Sequence, residues 1–156
     1  MAAQARGIDV SHFQGRVDWK QVALSGVDFC FIKATQGSTM VDSYFAQNWA
    51  GSAAAGLWQG AYHFAQPGSD PLAQAQFFYK TAGRPGPLGL PPVLDLEIMD
   101  GVDAAQVLQW AQQFLNHADA LFGRHTMLYT NTGYWQQLQG AADCHALASR
   151  ALWLAA

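Results

Sequence analysis

Asp95 and Glu97 flank Leu96 at the close of an apolar run, Leu90-Pro91-Pro92-Val93-Leu94, that reads as a buried β-strand. Carboxylates two residues apart on a strand point to one face. Placed together at the end of a buried strand, they repel each other and each loses its water. Charged residues make up only 12% of this chain, so such a pair is poorly explained by packing. It fits two acids whose pKa values are pushed apart, one protonated and one ionised.

A third acid, Asp9, ends another apolar stretch, Gly7–Ser11. Cleavage of a glycosidic bond needs a protonated carboxyl at the leaving oxygen and a second carboxylate near the anomeric carbon. Glu97 suits the general acid: it lies furthest toward the mouth of a pocket, with Asp95 and Asp9 behind it to raise its pKa. The alternative is structural, with Asp9 and Asp95 paired to Lys33 in an interior salt bridge. Tyr62, Tyr129, Trp153 and Phe64 also fall near strand ends, and Lys33 joins them as a candidate substrate contact. Aromatic faces stack on sugar rings, and a Tyr hydroxyl can orient a polar group. His63 follows Tyr62 and should point the other way, as a satisfied histidine behind the pocket. The five histidines show no ligand spacing, and Cys30 and Cys144 fit no metal motif, so neither metal nor cofactor is expected.

These residues need a scaffold that brings strand ends together. Strand patterns cover 7–11, 29–34, 57–64, 92–97, 127–131 and 151–154. Helix patterns cover 17–24, 43–55, 71–82, 103–122 and a short piece within 133–138. Asp70 before Pro71, and Gly83 after Ala82, are start and stop signals. Strand–helix alternation predicts an α/β fold with a parallel sheet. Polar residues gather at the strand C-termini, where a (β/α) barrel builds its active site. Gln36-Gly37-Ser38 lacks the spacing of a phosphate loop, which disfavours a nucleotide-binding sheet.

Composition narrows the partners. The 156 residues are 51% apolar with a net charge of −3, enough apolar content for one well-formed core. That charge argues against nucleic acid or an anionic membrane surface as the main partner. No run approaches the ~20 apolar residues of a membrane span. Residues 1–6 carry no apolar secretion signal and read as a short tail ahead of a single domain over 7–156.

Five motifs then appear in order: Gly7-Ile8-Asp9-Val10-Ser11-His12-Phe13-Gln14-Gly15, Val17-Asp18-Trp19, Phe31-Ile32-Lys33-Ala34-Thr35, Gly60-Ala61-Tyr62-His63-Phe64 and Val93-Leu94-Asp95-Leu96-Glu97. Together they closely resemble glycoside hydrolase family 25, the Chalaropsis-type lysozymes. The resemblance implies a TIM-like (β/α)5(β)3 barrel without a metal. It implies an N-acetylmuramidase cutting the β-1,4 bond between N-acetylmuramic acid and N-acetylglucosamine in peptidoglycan. The action is then at the bacterial cell wall, reached by secretion, in the periplasm, or by phage or effector delivery. Glu97 takes the place of the family's general acid, Asp95 the second carboxylate, Asp9 a supporting acid, and Tyr62 a contact in the −1 sugar site. A non-catalytic glycan-binding module of the same fold is the alternative. Two departures stand out. Gln36 stands where the family often has Glu, which removes one charge from the pocket rim. The family also continues past Leu152-Trp153-Leu154-Ala155 with two more strands and a further aspartate. The expected domain is therefore C-terminally incomplete, with room for a partner segment to complete the barrel.

Overall fold

The computed structural model describes residues 4–155. Its backbone alternates strands and helices: β1 (Gly7–Val10), α1 (Trp19–Leu24), β2 (Phe29–Gln36), β3 (Met40–Val41), α2 (Phe45–Ala54), β4 (Trp58–Phe64) and α3 (Pro71–Ala82). Then follow β5 (Val93–Asp95), α4 (Ala104–Phe122), β6 (Met127–Asn131), α5 (Thr132–Ala141), α6 (His145–Ala148) and β7 (Leu152–Ala155). A single 3₁₀ turn, His12–Gln14, leaves β1. Six strands form a parallel sheet in the order β1-β2-β4-β5-β6-β7, and β3 pairs antiparallel with β2.

The helices start and stop where the sequence supplies caps. Asp70 accepts the Ala73 N–H at 2.8 Å, Pro71 opens α3, and Gly83 follows it. Asp103 and Gln106 form a reciprocal capping box at α4. Gly123, at φ 69°, closes α4 in the left-handed region. The helical spacing anticipated over 103–122 places Val107, Trp110, Ala111, Phe114 and Ala118 in the core, whereas Leu121 is only half-buried and Phe122 takes the buried position in its stead. Burying such a face contributes about 1.5–3 kcal/mol per large apolar side chain.

The sheet curls into a half-barrel. Phe31 on β2 and Trp153 on β7 are separated by three intervening strands, yet their rings lie 5.0 Å apart. In a flat sheet four strand spacings would hold them roughly 19 Å apart. Close approach on the inner face uses a glycine: the Phe31 ring occupies the space a Cβ on Gly60 would fill.

Three elements went unforeseen: the 3₁₀ turn, the two-residue β3 and the four-residue α6. Each is too short to show a period. β5 is also shorter than expected, so Glu97 lies beyond the strand rather than on it. Of the 1–6 tail, residues 1–3 fall outside the described residues. Arg6 is tied down, since its N–H donates to Asp28 Oδ2 at 2.8 Å and its carbonyl accepts from the Asp28 N–H at 2.8 Å. Cys30 and Cys144 are buried free thiols.

Behind the sheet, His63 sits in a fully determined network. Gln74 Nε2 donates to the Gln66 carbonyl at 2.8 Å while Gln74 Oε1 accepts the Gln66 N–H at 3.1 Å. That fixes the amide, so His63 Nε2 donates to Gln74 Oε1 at 2.9 Å. His63 Nδ1 then accepts from the Thr35 hydroxyl at 2.7 Å. Phe114 stacks on the imidazole at 5.0 Å. The ring is neutral, and burial, aided by the Lys33 charge, pulls its pKa down to about 4 against the support of Gln74. The unfolded chain takes up this proton near pH 6.5 and the native one only near 4, so acid costs native stability across that window. Relative to His63→Asn, the parent should lose on the order of 2–3 kcal/mol between pH 6.5 and 4. Denaturant unfolding of both proteins at stepped pH checks this. A pH-independent difference would contradict it.

Candidate active site

β1 and β5 deliver Asp9 and Asp95 to the same end of the half-barrel, and Glu97 follows β5 directly. The three carboxyls, with Tyr62, Val93, Tyr129 and Trp153, line one open cleft of about 360 Å³, solvent included. This is the C-terminal end of the strands, the end expected to carry chemistry.

Asp95 is the most constrained of the three. It is 6% exposed, and its Oδ1 has no hydrogen-bond partner. Burial first, then the charge and hydrogen bond of Glu97, push its carboxyl up to about 9, against the pull of Lys33. Asp9 stands exposed on the solvent side of the cleft. The surrounding walls still remove part of its hydration and, with Glu97 nearby, hold its carboxyl above the usual range. Two adjacent acids with one buried behave as a dyad sharing one proton near neutrality. The sequence pattern suggested that the raised acid is Glu97. In the structure, burial raises the Asp95 carboxyl, because a carboxyl at that depth loses more hydration on ionising.

The aromatic wall is built across strands. Tyr129 and Trp153 are register partners on β6 and β7, and their rings meet edge to face at 4.8 Å. Tyr62 on β4 pairs with Val93 on β5, and burial followed by the nearby Asp95 and Asp9 charges raises its hydroxyl pKa. Burial and the Glu97 charge do the same for Tyr129. Both phenols are neutral hydrogen-bonding groups.

Lys33 and Phe64 do not line the cleft. The Lys33 side chain is buried, donates to Gln36 Oε1 at 2.7 Å and lies 4.9 Å from the Phe64 ring centroid. Burial lowers the Lys33 pKa, while Asp42 and Asp95 act to raise it. No ion pair joins Lys33 to Asp9 or Asp95 among the described residues. The interior salt bridge is therefore absent, and Lys33 acts on Asp95 as a nearby charge. Gln36, noted for the charge it lacks, is the hydrogen-bond acceptor for that ammonium.

Other polar groups around the site carried weaker signals. Asn131 donates through Nδ2 to Glu97 Oε2 at 3.1 Å. Asp42, fully buried, holds His12 Nδ1 at 2.6 Å and accepts the His12 N–H at 3.0 Å. Ser11 and Gln14 close a capping box over the 3₁₀ turn. Asn131 is among the polar residues that the sequence gathers at the strand C-termini, and an Asn between a strand and a helix is also a cap signature. Asp42 had no local signature, because its partner lies 30 residues away. No group of three or more His, Cys, Asp or Glu side chains is placed to hold a metal among the described residues.

Comparison with known proteins agrees on one family. The family description "Glycosyl hydrolases family 25" matches residues 8–156. Lysozyme M1 of Streptomyces globisporus is 35% identical over 145 residues, covering 87% of this chain and 49% of its own length. An N,O-diacetylmuramidase of Arthroderma benhamiae is 32% identical over 147 residues, covering 89% of this chain and 63% of its own length. The chain thus spans about half to two-thirds of these relatives. The solved muramidase of Trichobolus zukalii superposes with a TM-score of 0.91 at 34% identity, covering 98% of this chain and 77% of the other.

Asp95 holds its proton to about pH 9 in the native state but ionises near 3.8 when unfolded. Its burial therefore costs stability at any pH above about 4, increasingly so as pH rises toward 9. Asp95→Asn should raise the melting temperature by several degrees at pH 7, with a gain that widens from pH 5 to 8. Calorimetry across that range tests it. An unchanged melting temperature, or a gain independent of pH, would contradict it.

Proposed function

The chain belongs to glycosyl hydrolase family 25, and on that premise we propose that it is a muramidase. Its substrate is peptidoglycan at the bacterial cell wall, and it hydrolyses the β-1,4 bond between N-acetylmuramic acid and N-acetylglucosamine. The observation that carries this reading is the convergence of Asp9, Asp95 and Glu97 in one cleft walled by Tyr62, Tyr129 and Trp153.

In the proposed mechanism the dyad stores one proton, resting on Asp95. Substrate entry excludes water, and the proton crosses the Asp95–Glu97 hydrogen bond to Glu97. Glu97 is less buried than Asp95 and faces the cleft. It protonates the leaving glycosidic oxygen as the bond from that oxygen to the anomeric carbon breaks. Asp95, now ionised, stabilises the positive charge that develops at the anomeric carbon. Asp9 adds negative potential from β1, and Tyr62 orients the sugar. Water then completes hydrolysis and returns the proton. Lys33 serves from behind by favouring the ionised form of Asp95. Phe64 is the surface against which that ammonium rests.

The (β/α)5(β)3 count belongs to the same proposal. Six parallel strands make up part of such a barrel, with β1 and β7 at its two edges. A segment pairing with those edges would supply the remaining wall.

Glu97→Gln removes the transferable proton and keeps the shape. Release of reducing ends from purified peptidoglycan should fall by about 10³-fold or more, with circular dichroism unchanged. Full activity in the variant would overturn the assignment of Glu97. If the parent chain pelleted with cell walls yet released no reducing ends, the chain would be a glycan-binding module instead.

A further inference from the structure

Glu97 lies past the end of β5, outside the strand ladder that fixes Asp95. Three consecutive residues there are held by three side chains from β6 and α5. Thr130 Oγ1 donates to the Leu96 carbonyl at 2.7 Å. Asn131 Nδ2 donates to Glu97 Oε2 at 3.1 Å. Tyr134 Oη donates to the Ile98 carbonyl at 2.9 Å. Thr130 is fully buried and Tyr134 is 6% exposed, so two points of this clasp lie in the core.

The middle point carries the chemistry. Asn131 Oδ1 accepts the Tyr134 N–H at 2.8 Å and so caps α5. A backbone N–H can only donate, so the amide oxygen must face the helix and the NH₂ must face Glu97. The ten-residue α5 thereby fixes both the place and the sense of the hydrogen bond to the carboxylate. An amide NH₂ bonds an ionised carboxylate more strongly than a neutral one. The positive end of the helix adds to that preference.

Few other groups favour the negative charge. Glu97 faces Asp9 from β1, Asp95 from β5 and the Tyr129 hydroxyl from β6. None is a cation, and no ion pair reaches Glu97 among the described residues. Apart from the protonated carboxyl of Asp95, the side-chain donor to Glu97 among them is Asn131.

We propose that Asn131 is a positioning residue for the reaction: it aims the Glu97 carboxyl into the cleft and holds it ready as the proton acceptor from Asp95. This rests on the glycosidase reading given above. Delivery to the glycosidic oxygen then requires no rotation of the Glu97 carboxyl. Without the clasp, Glu97 is a carboxyl on an irregular segment that only the shared proton of Asp95 would orient.

Two variants separate this role from helix capping. Asn131→Asp keeps an oxygen for the Tyr134 N–H but removes the donor and sets a like charge against Glu97. Asn131→Ala removes both functions. For Asn131→Asp the melting temperature should match the parent, and kcat on purified peptidoglycan should fall about ten- to hundredfold with KM within about twofold. The ¹³C carboxyl resonance of Glu97 should also titrate at higher pH than in the parent. Asn131→Ala should show the same kcat loss together with a lower melting temperature. A parent-like kcat and Glu97 titration in Asn131→Asp, with defects confined to Asn131→Ala, would leave Asn131 a helix cap only and overturn the proposal. If the parent itself releases no reducing ends, the glycosidase reading fails. The Glu97 titration then decides the clasp alone: a shift in Asn131→Asp supports it and no shift overturns it.

Discussion

The curl of the parallel sheet is the constraint on which the rest of this molecule depends. Asp9 and Asp95 sit on strands separated by β2 and β4. A flat sheet would leave them roughly 14 Å apart along the hydrogen-bonding direction. Curling turns the inner face into a concave wall, so strand ends that are not neighbours in the ladder share one cleft. The contact of Phe31 with Trp153 records the same curvature from the other side of the arc. Small residues such as Gly60 make room for those rings, and large aromatics fill the interior below the carboxyls.

The two faces of the sheet handle polarity in opposite ways. Behind it, His63, Thr35 and Gln74 are fully buried but mutually satisfied, each donor with an acceptor. A closed network of that kind rigidifies the packing of α3 and α4 on the sheet. On the inner face Asp95 is nearly as buried, yet one of its oxygens is left without a partner. The first arrangement serves the fold. The second is costly to the fold, and a carboxyl retained at that cost beside a second acid is a mark of function.

The site is also asymmetric in how firmly its parts are held. Asp95 belongs to a strand paired on both sides. Glu97 does not, and its segment is held instead by Thr130, Asn131 and Tyr134. One carboxyl is thus placed by sheet geometry and its neighbour by side-chain hydrogen bonds. Lys33 adds charge from below without entering the cleft, its ammonium bonded to Gln36.

Much of this was legible in the sequence. Alternating apolar runs and caps such as Asp70 and Gly83 identified every strand but β3 and every α-helix but α6, because those signals are local and periodic. The Asp95–Glu97 spacing, with Asp9, Tyr62, Tyr129 and Trp153 at strand ends, located the cleft. Other features depended on distance in space rather than in sequence. Burial depth raised the Asp95 pKa, and depth is set by elements far along the chain. Lys33 turned from the cleft to Gln36 and Phe64, a choice made by rotamer and packing. Asp42 found His12 across 30 residues, and Asn131 found Glu97 across 34. The sequence by itself determined which residues could do chemistry and at which end of which strand they stand, since side-chain alternation and capping are properties of neighbours. Only the tertiary structure decided how deeply Asp95 is buried and which side chain meets Glu97, since desolvation and hydrogen-bond partners arise when distant segments meet.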